Sequence, residues 1–60
     1  MIHIYEIEGH GIYWEVWKQG IDCPDDLILS IYTHDMLVWY LDKVREDGLN
    51  FIYYSLEEVV

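Results

Sequence analysis

The chain has 60 residues, of which 53% are apolar and 17% aromatic, and 12 Asp and Glu stand against three Lys and Arg. A domain of this size buries only about 60% of the surface that its unfolded chain exposes, so the rich apolar content argues for one compact domain over residues 1–60 and against disorder. The formal net charge of −9 argues against direct binding to nucleic acid or to an anionic membrane, and it makes a basic protein surface the natural electrostatic partner.

The first predicted element is a β-hairpin. Residues Ile2–Ile7 and Ile12–Lys18 are rich in β-branched and aromatic side chains, as is typical of strands. A Gly-His-Gly turn at residues 9–11 separates the two segments. The first 18 residues therefore predict two antiparallel strands joined by a short loop.

The register of this hairpin decides which side chains face the core. A two-residue or four-residue loop pairs Tyr5 with Trp14 and makes one face nearly all apolar. A three-residue loop instead pairs Glu6 with Trp14 and Glu8 with Ile12, which puts carboxylates on the apolar face. We therefore expect the first register. In that register the opposite, uncovered face carries three carboxylates and two aromatic side chains, namely Glu6, Glu8, Glu15, Tyr13 and Trp17.

The segment from Leu27 to Tyr32 has two interpretations. Gly20 and Pro24 first mark a loop in "GIDCPDD". The alternation in "LILSIYT" then favours a third strand that is covered on both faces. A short helix from about Pro24 is the rival, because Pro followed by two Asp suits a first helical turn. We favour the strand.

The next element is predicted to be a helix. Thr33 is a suitable N-cap, Asp35 suits the first turn, and Gly48 suits the position after the last turn. Four apolar residues at helical spacing form one stripe, namely Leu37, Tyr40, Leu41 and Val44. Glu46 and Asp47 lie at the negative end of the helix dipole, where carboxylates are unfavourable. This pair therefore indicates a use other than stability.

The last predicted strand is "LNFIYYS", and the tail "LEEVV" either extends this strand or frays. The elements then follow the order ββ(β)αβ. This order predicts an α+β domain, in which one helix packs on a small antiparallel sheet of three to four strands. Such a sheet leaves one of its faces uncovered.

The residues that could carry chemistry are few and scattered. Cys23 is the only cysteine, which excludes an intrachain disulfide and a cysteine zinc cluster and fits a reducing compartment. His3, His10 and His34 lack a spacing that places two imidazoles on one face. The N-terminal segment "MIHIYEIE" has no basic region of the kind that begins a signal peptide. We expect a cytoplasmic protein that is not an enzyme and has no cofactor and no metal site.

The acidic charge points instead to a protein partner. In size and composition the chain is similar to the small, acidic, aromatic-rich inhibitors that phages encode against host nucleases, repair enzymes, polymerases or CRISPR effectors. Glu6 and Glu8, two residues apart on a strand, project about 6.6 Å from each other, close to the rise of about 6.8 Å across two phosphates of one strand. The sequence thus predicts an inhibitor that occupies a basic, nucleic-acid-binding surface by mimicry. The expected partner-binding residues are Glu6, Glu8, Tyr13, Glu15, Trp17, Glu46 and Asp47.

A homodimer is the alternative hypothesis. So many aromatic residues in so short a chain exceed what one small core can hide, and a second copy could cover the surplus. In that case the carboxylates form a solvating rim that keeps the protein soluble. An antitoxin that neutralises a basic toxin belongs to the same class of interaction module.

Overall fold

Four strands and one helix build the domain in the computed structural model, which describes residues 1–56. In chain order they are β1 (Ile2–Gly9), β2 (Gly11–Lys18), β3 (Asp26–Ile31), α1 (His34–Glu46) and β4 (Phe51–Tyr54). The α+β class and the element order are confirmed. The third segment is a strand, so the rival helix from Pro24 was wrong. Residues 57–60 of the tail lie outside the described residues.

The sheet is mixed rather than purely antiparallel. Its strand order is β3-β2-β1-β4, with antiparallel β3/β2 and β2/β1 pairs and a parallel β1/β4 pair. The reason lies in the connection from β3 to β4. A helix that follows an edge strand returns the chain to the end of the sheet where that strand began, so the next strand runs in the same direction. β4 therefore runs parallel to β3, and also to β1.

The register of the hairpin corrects the expected one. Gly9 pairs with Gly11 and Glu6 pairs with Trp14, so the loop is of the three-residue kind. The turn requires a positive φ of 106° at Gly11, which glycine adopts without strain. A shift of one residue exchanges every side chain of β1 between the two faces. As a result Ile4, with no exposed surface, lies in the core, and Tyr5 lies on the opposite face.

The core lies between α1 and one face of the sheet. Six residues form it, namely Ile2, Ile4, Trp14, Val16, Ile31 and Leu37. Tyr40 and Leu41 of α1 and Phe51 and Tyr53 of β4 pack against this cluster and are partly buried. The apolar stripe predicted for the helix thus faces the sheet, with Leu37 and Val44 fully inside.

Both ends of α1 have the caps that the sequence predicted. The Thr33 hydroxyl accepts a hydrogen bond of 3.3 Å from the Met36 amide. At the other end Gly48 has a φ of 69°, and its amide donates to the Arg45 carbonyl. The Leu49 amide donates to the Val44 carbonyl, which completes a Schellman motif. The helix is therefore fixed at residues 34–46 by local interactions as well as by packing.

The loop between β2 and β3 is closely packed at Gly20. A Cβ at this position would lie 2.2 Å from the carbonyl oxygen of Cys23 and 2.6 Å from that of Pro24. The Gly20 amide donates a hydrogen bond of 2.9 Å to Oδ1 of Asp25. Close backbone packing and this hydrogen bond together hold Asp25 at the start of β3.

Candidate protein-binding site

The side of the sheet opposite α1 is the candidate site and is named the open face here. The helix of residues 34–46 covers only the other side. Cross-strand pairing and alternation assign eleven side chains to the open face, namely His3, Tyr5, Ile7, Tyr13, Glu15, Trp17, Leu27, Ser30, Tyr32, Ile52 and Tyr54. Six of these eleven side chains are aromatic rings, counting the imidazole of His3.

The rings of the open face form stacked groups. Tyr5 and Tyr54 are nearly parallel, with centroids 4.6 Å apart and planes 8° apart. His3 stacks on Tyr54 at 5.7 Å, and its Nδ1 lies 2.9 Å from the Tyr54 hydroxyl. Toward the β3 edge of the same open face, Tyr13 stacks on Tyr32 at 5.6 Å. Stacked rings that support one another provide a rigid apolar surface of the kind enriched at protein interfaces.

A shallow depression of about 460 Å³ lies in the open face. It is lined by Tyr5–Ile7 of β1, by Glu15 and Trp17 of β2, and by Asp25 from the loop before β3. Burial, reinforced by the neighbouring Tyr54 and Asp25, raises the pKa of the Tyr5 phenol. The Tyr5 hydroxyl thus stays protonated at neutral pH. The depression combines the aromatic residues Tyr5 and Trp17 with the acidic residues Glu15 and Asp25.

Of the Asp, Glu, Lys and Arg residues within residues 1–56, those on the open face are all acidic. Glu15 and Asp25 contribute carboxylates, whereas the three Lys and Arg of the chain lie elsewhere. Lys43 and Arg45 belong to α1, where they pair with carboxylates of the same helix. Lys18 pairs with the core residue Ile2 and therefore points to the side that α1 covers. The open face thus carries carboxylates without Lys or Arg, whereas the side of α1 carries both acids and bases.

The structure divides the residues that the sequence predicted as one site. Tyr13, Glu15 and Trp17 lie together on the open face, as expected from β2. Glu6 and Glu8 do not join them, because the register turns them to the other side of β1. Their expected position on the uncovered face was wrong.

Glu6 has a structural role instead. Its Oε2 accepts a hydrogen bond of 2.6 Å from the hydroxyl of Tyr53, and that hydroxyl accepts one of 2.9 Å from Nε1 of Trp14. Burial and the bond to Glu6 raise the pKa of Tyr53, while the bond from Trp14 acts in the opposite direction. The three side chains form a chain of hydrogen bonds at the margin of the core. These hydrogen bonds let the Glu6 carboxylate occupy the covered side of the sheet.

The acids at the end of α1 also have local structural roles. Oε2 of Glu46 lies 3.4 Å from Nζ of Lys43, which is one turn earlier. Asp47 is the C-cap residue, and its amide donates to the Lys43 carbonyl. Cations in the last turn offset the unfavourable position of these carboxylates in the helix dipole. Neither residue lies on the open face.

Of the residues of the site, only Tyr13, Glu15 and Trp17 were predicted as functional; the aromatic and acidic members that were not are His3, Tyr5, Asp25, Tyr32 and Tyr54. His3 and Tyr54 meet because β4 pairs with β1, and no local sequence pattern encodes that pairing. Tyr32 was detectable in principle, because composition predicted surface aromatics and its side chain is 72% exposed. Asp25 joins the site through the folding of the loop that precedes β3.

Two absences concern residues 1–56, the part of the chain that the structure describes. No group of three His, Cys, Asp or Glu side chains in this part of the chain is arranged to hold a metal ion. No helix in it is long and apolar enough to cross a membrane. Comparison of the chain with protein-family models, with curated proteins and with solved structures found no match.

Proposed function

We propose that the protein binds a basic surface of another protein through its open face and inhibits that partner by occupying the surface. The observation that supports this proposal is the composition of the open face, which combines stacked aromatic rings with carboxylates and has no Lys or Arg. Aromatic side chains supply most of the affinity at protein interfaces, and complementary charge selects the partner and speeds association.

The size of the surface fits such a role. A standard interface takes about 800 Å² from each partner, and the chain exposes 4671 Å² in all. The interface would therefore occupy about one sixth of the molecule, which requires the open face together with its surrounding loops. Tyr32, 72% exposed, and Ile52, 40% exposed, already present apolar surface there.

The support for nucleic-acid mimicry changes with the register. The spacing of Glu6 and Glu8 no longer contributes, since Glu6 is bonded to Tyr53 on the other side of the sheet. What supports a basic partner is the net charge of −9 and the placement of Glu15 and Asp25 beside the aromatic rings. A partner that uses its basic surface to bind nucleic acid would be inhibited by direct competition.

A homodimer through the open face is the second candidate, favoured by the same exposed rings. Two copies docked face to face would bring Glu15 and Asp25 of both chains together, with a formal charge of −9 on each chain. Salt screens this repulsion, so higher ionic strength would strengthen the dimer. A complex with a basic protein responds to salt in the opposite direction.

The test compares alanine variants of two tryptophans, Trp17 on the open face and Trp39 on α1. Immobilised wild-type protein is used to capture a partner from host lysate, and the captured protein is then purified and titrated at about 50 and 300 mM salt. We expect Trp17→Ala to weaken binding by about 30-fold or more, the effect of losing a central interface aromatic. Trp39→Ala is the matched control, because Trp39 lies on α1 and is 55% exposed. Duplex or single-stranded nucleic acid should compete for the partner.

Two outcomes would contradict the proposal. Equal losses for Trp17→Ala and Trp39→Ala would show that the open face has no special part in binding. Sedimentation that reveals a dimer strengthened by salt and lost on Trp17→Ala would instead establish the homodimer.

A further inference from the structure

We infer that the depression in the open face receives an arginine side chain of the partner. The inference rests on the proposed function and names the group that the site recognises. Tyr5, Glu6, Ile7, Glu15, Trp17 and Asp25 line the depression. The Glu6 carboxylate is bonded to Tyr53 on the covered side, which leaves Tyr5 and Trp17 as the aromatic residues and Glu15 and Asp25 as the acidic residues of the site. This is the chemistry that a guanidinium group binds, since the cation lies over aromatic faces and donates hydrogen bonds to carboxylate oxygens.

The aromatic wall is held in place before a ligand arrives. Tyr5 stacks on Tyr54 with planes only 8° apart, and the Tyr54 hydroxyl is in turn within 2.9 Å of Nδ1 of His3. Trp17 is paired with His3 across the two central strands. The Tyr5 ring, supported by Tyr54, loses little freedom on binding a cation, so more of the interaction contributes to affinity.

The carboxylates are also positioned by the fold. Asp25 accepts a hydrogen bond from the Gly20 amide, within a loop whose packing leaves no space for a Cβ at Gly20. Glu15 lies in the central strand β2, between Tyr5 of β1 and Ser30 of β3. Both ion pairs found within residues 1–56 lie on α1, away from these two groups. Neither Glu15 nor Asp25 therefore forms an ion pair within the described part of the chain.

The shape and openness of the site favour arginine over lysine. A planar guanidinium stacks on rings, donates two parallel hydrogen bonds and is more weakly hydrated than an ammonium group. In a shallow depression that stays open to water, a strongly hydrated ammonium gains less from the same contacts. A volume of about 460 Å³ is within the roughly 300–1,000 Å³ range of small-ligand sites.

The three tryptophans provide a direct test by NMR. Each gives one indole N–H signal, and they report on different places, with Trp17 in the depression, Trp14 in the core and Trp39 on α1. Titration of ¹⁵N-labelled protein with N-acetyl-arginine amide should shift the Trp17 signal saturably and leave the other two in place. We expect N-acetyl-lysine amide to bind at least about threefold more weakly, because it lacks the stacking and bidentate geometry.

Matched charge variants complete the experiment. Glu15→Gln and Asp25→Asn should each weaken arginine binding by about threefold to tenfold, as expected for the loss of one charge-assisted bond. Asp42→Asn removes the same unit of charge from α1 and should leave binding unchanged. Asp25→Asn is included because Glu15 lies in a central strand, where a substitution can also affect folding. Amide spectra report whether each variant is folded.

The inference is overturned by a shift that does not saturate, by equal shifts at all three indoles, or by equal effects of Glu15→Gln and Asp42→Asn. Its failure is separate from that of the proposed function. A captured partner that depends on Trp17 while the arginine probe does not bind overturns only the arginine site. Saturable arginine binding by a chain whose partner is indifferent to Trp17→Ala overturns the proposed function and supports the arginine site.

Discussion

Replacing Tyr53 by Phe tests the register of the hairpin directly. The Tyr53 hydroxyl accepts a hydrogen bond from Nε1 of Trp14 at 2.9 Å and donates one to Glu6 at 2.6 Å. Both bonds exist only because Glu6 and Trp14 face each other on the covered side of the sheet. Tyr53→Phe removes both and leaves the indole N–H of Trp14, a side chain only 8% exposed, without its acceptor.

The expected loss of stability follows from the two bonds. A neutral hydrogen bond contributes about 0.5–1.5 kcal/mol and a bond to a charged group about 1.5–3 kcal/mol. Glu6 and Tyr53 are only partly buried, so water can replace part of the lost hydrogen bonding. We therefore take the lower end of the summed contributions of the two bonds, about 2 kcal/mol, as the expected loss of stability. In a domain of this size that loss lowers Tm by about 8–16 °C.

The assay is thermal and urea unfolding of a double-mutant cycle. Wild type, Tyr53→Phe, Glu6→Ala and the double variant should give a coupling free energy of about 1 kcal/mol or more. Tyr32→Phe is the control, because Tyr32 is 72% exposed, and it should change stability by less than about 0.5 kcal/mol. A coupling free energy near zero would refute the reasoning, since in the alternative register Glu6 lies on the other face from Tyr53.

Three further predictions concern the loop, the helix cap and alkaline pH. Gly20→Ala should cost about 1–3 kcal/mol in urea unfolding because its Cβ would lie 2.2 Å from the Cys23 carbonyl, while Gly9→Ala, whose nearest atom is 3.5 Å away, should cost less than about 1 kcal/mol. Thr33→Ala should remove about 1 kcal/mol by deleting the N-cap, and Thr33→Ser should restore most of it; equal stabilities of the two would contradict the cap. Burial raises the pKa of Tyr40, so its contribution to stability is fully present below about pH 10 and is lost as the pH rises through the higher pKa of the folded state. Tyr40→Phe should therefore make Tm fall less steeply with pH above about pH 10. The same dependence of Tm on pH in wild type and variant would show that Tyr40 does not contribute to this loss of stability.

The helix illustrates what the sequence could predict. Thr33, Gly48 and the apolar stripe each act within a few residues of one another, so their effect does not depend on the rest of the fold. The locations of the strands were predictable for a similar reason, because β-branched and aromatic segments between glycines favour extended structure wherever they lie. Part of the site followed from this, since alternation in β2 was enough to place Tyr13, Glu15 and Trp17 on one face.

The rest of the site depended on contacts between distant segments. β1 carries apolar residues on both faces, with Ile2 and Ile4 on one and Tyr5 and Ile7 on the other, so its own pattern does not say which face is buried. The Gly-His-Gly turn accommodates loops of different length, and a one-residue difference exchanges the faces. A preference for a purely apolar face therefore selected the wrong register.

Sequence alone thus determined the elements of this protein, its acidic charge and the amphipathic face of its helix, because these are local or compositional properties. Tertiary structure decided the register, since the parallel pairing of β4 brings Tyr53 beside β1, where its hydroxyl donates the hydrogen bond that lets Glu6 face the covered side of the sheet. It also decided which rings form the open face and brought Asp25 to its edge. The physical reason is that the free energy of a partly buried carboxylate depends on a partner 47 residues away in the chain, which no local pattern can report.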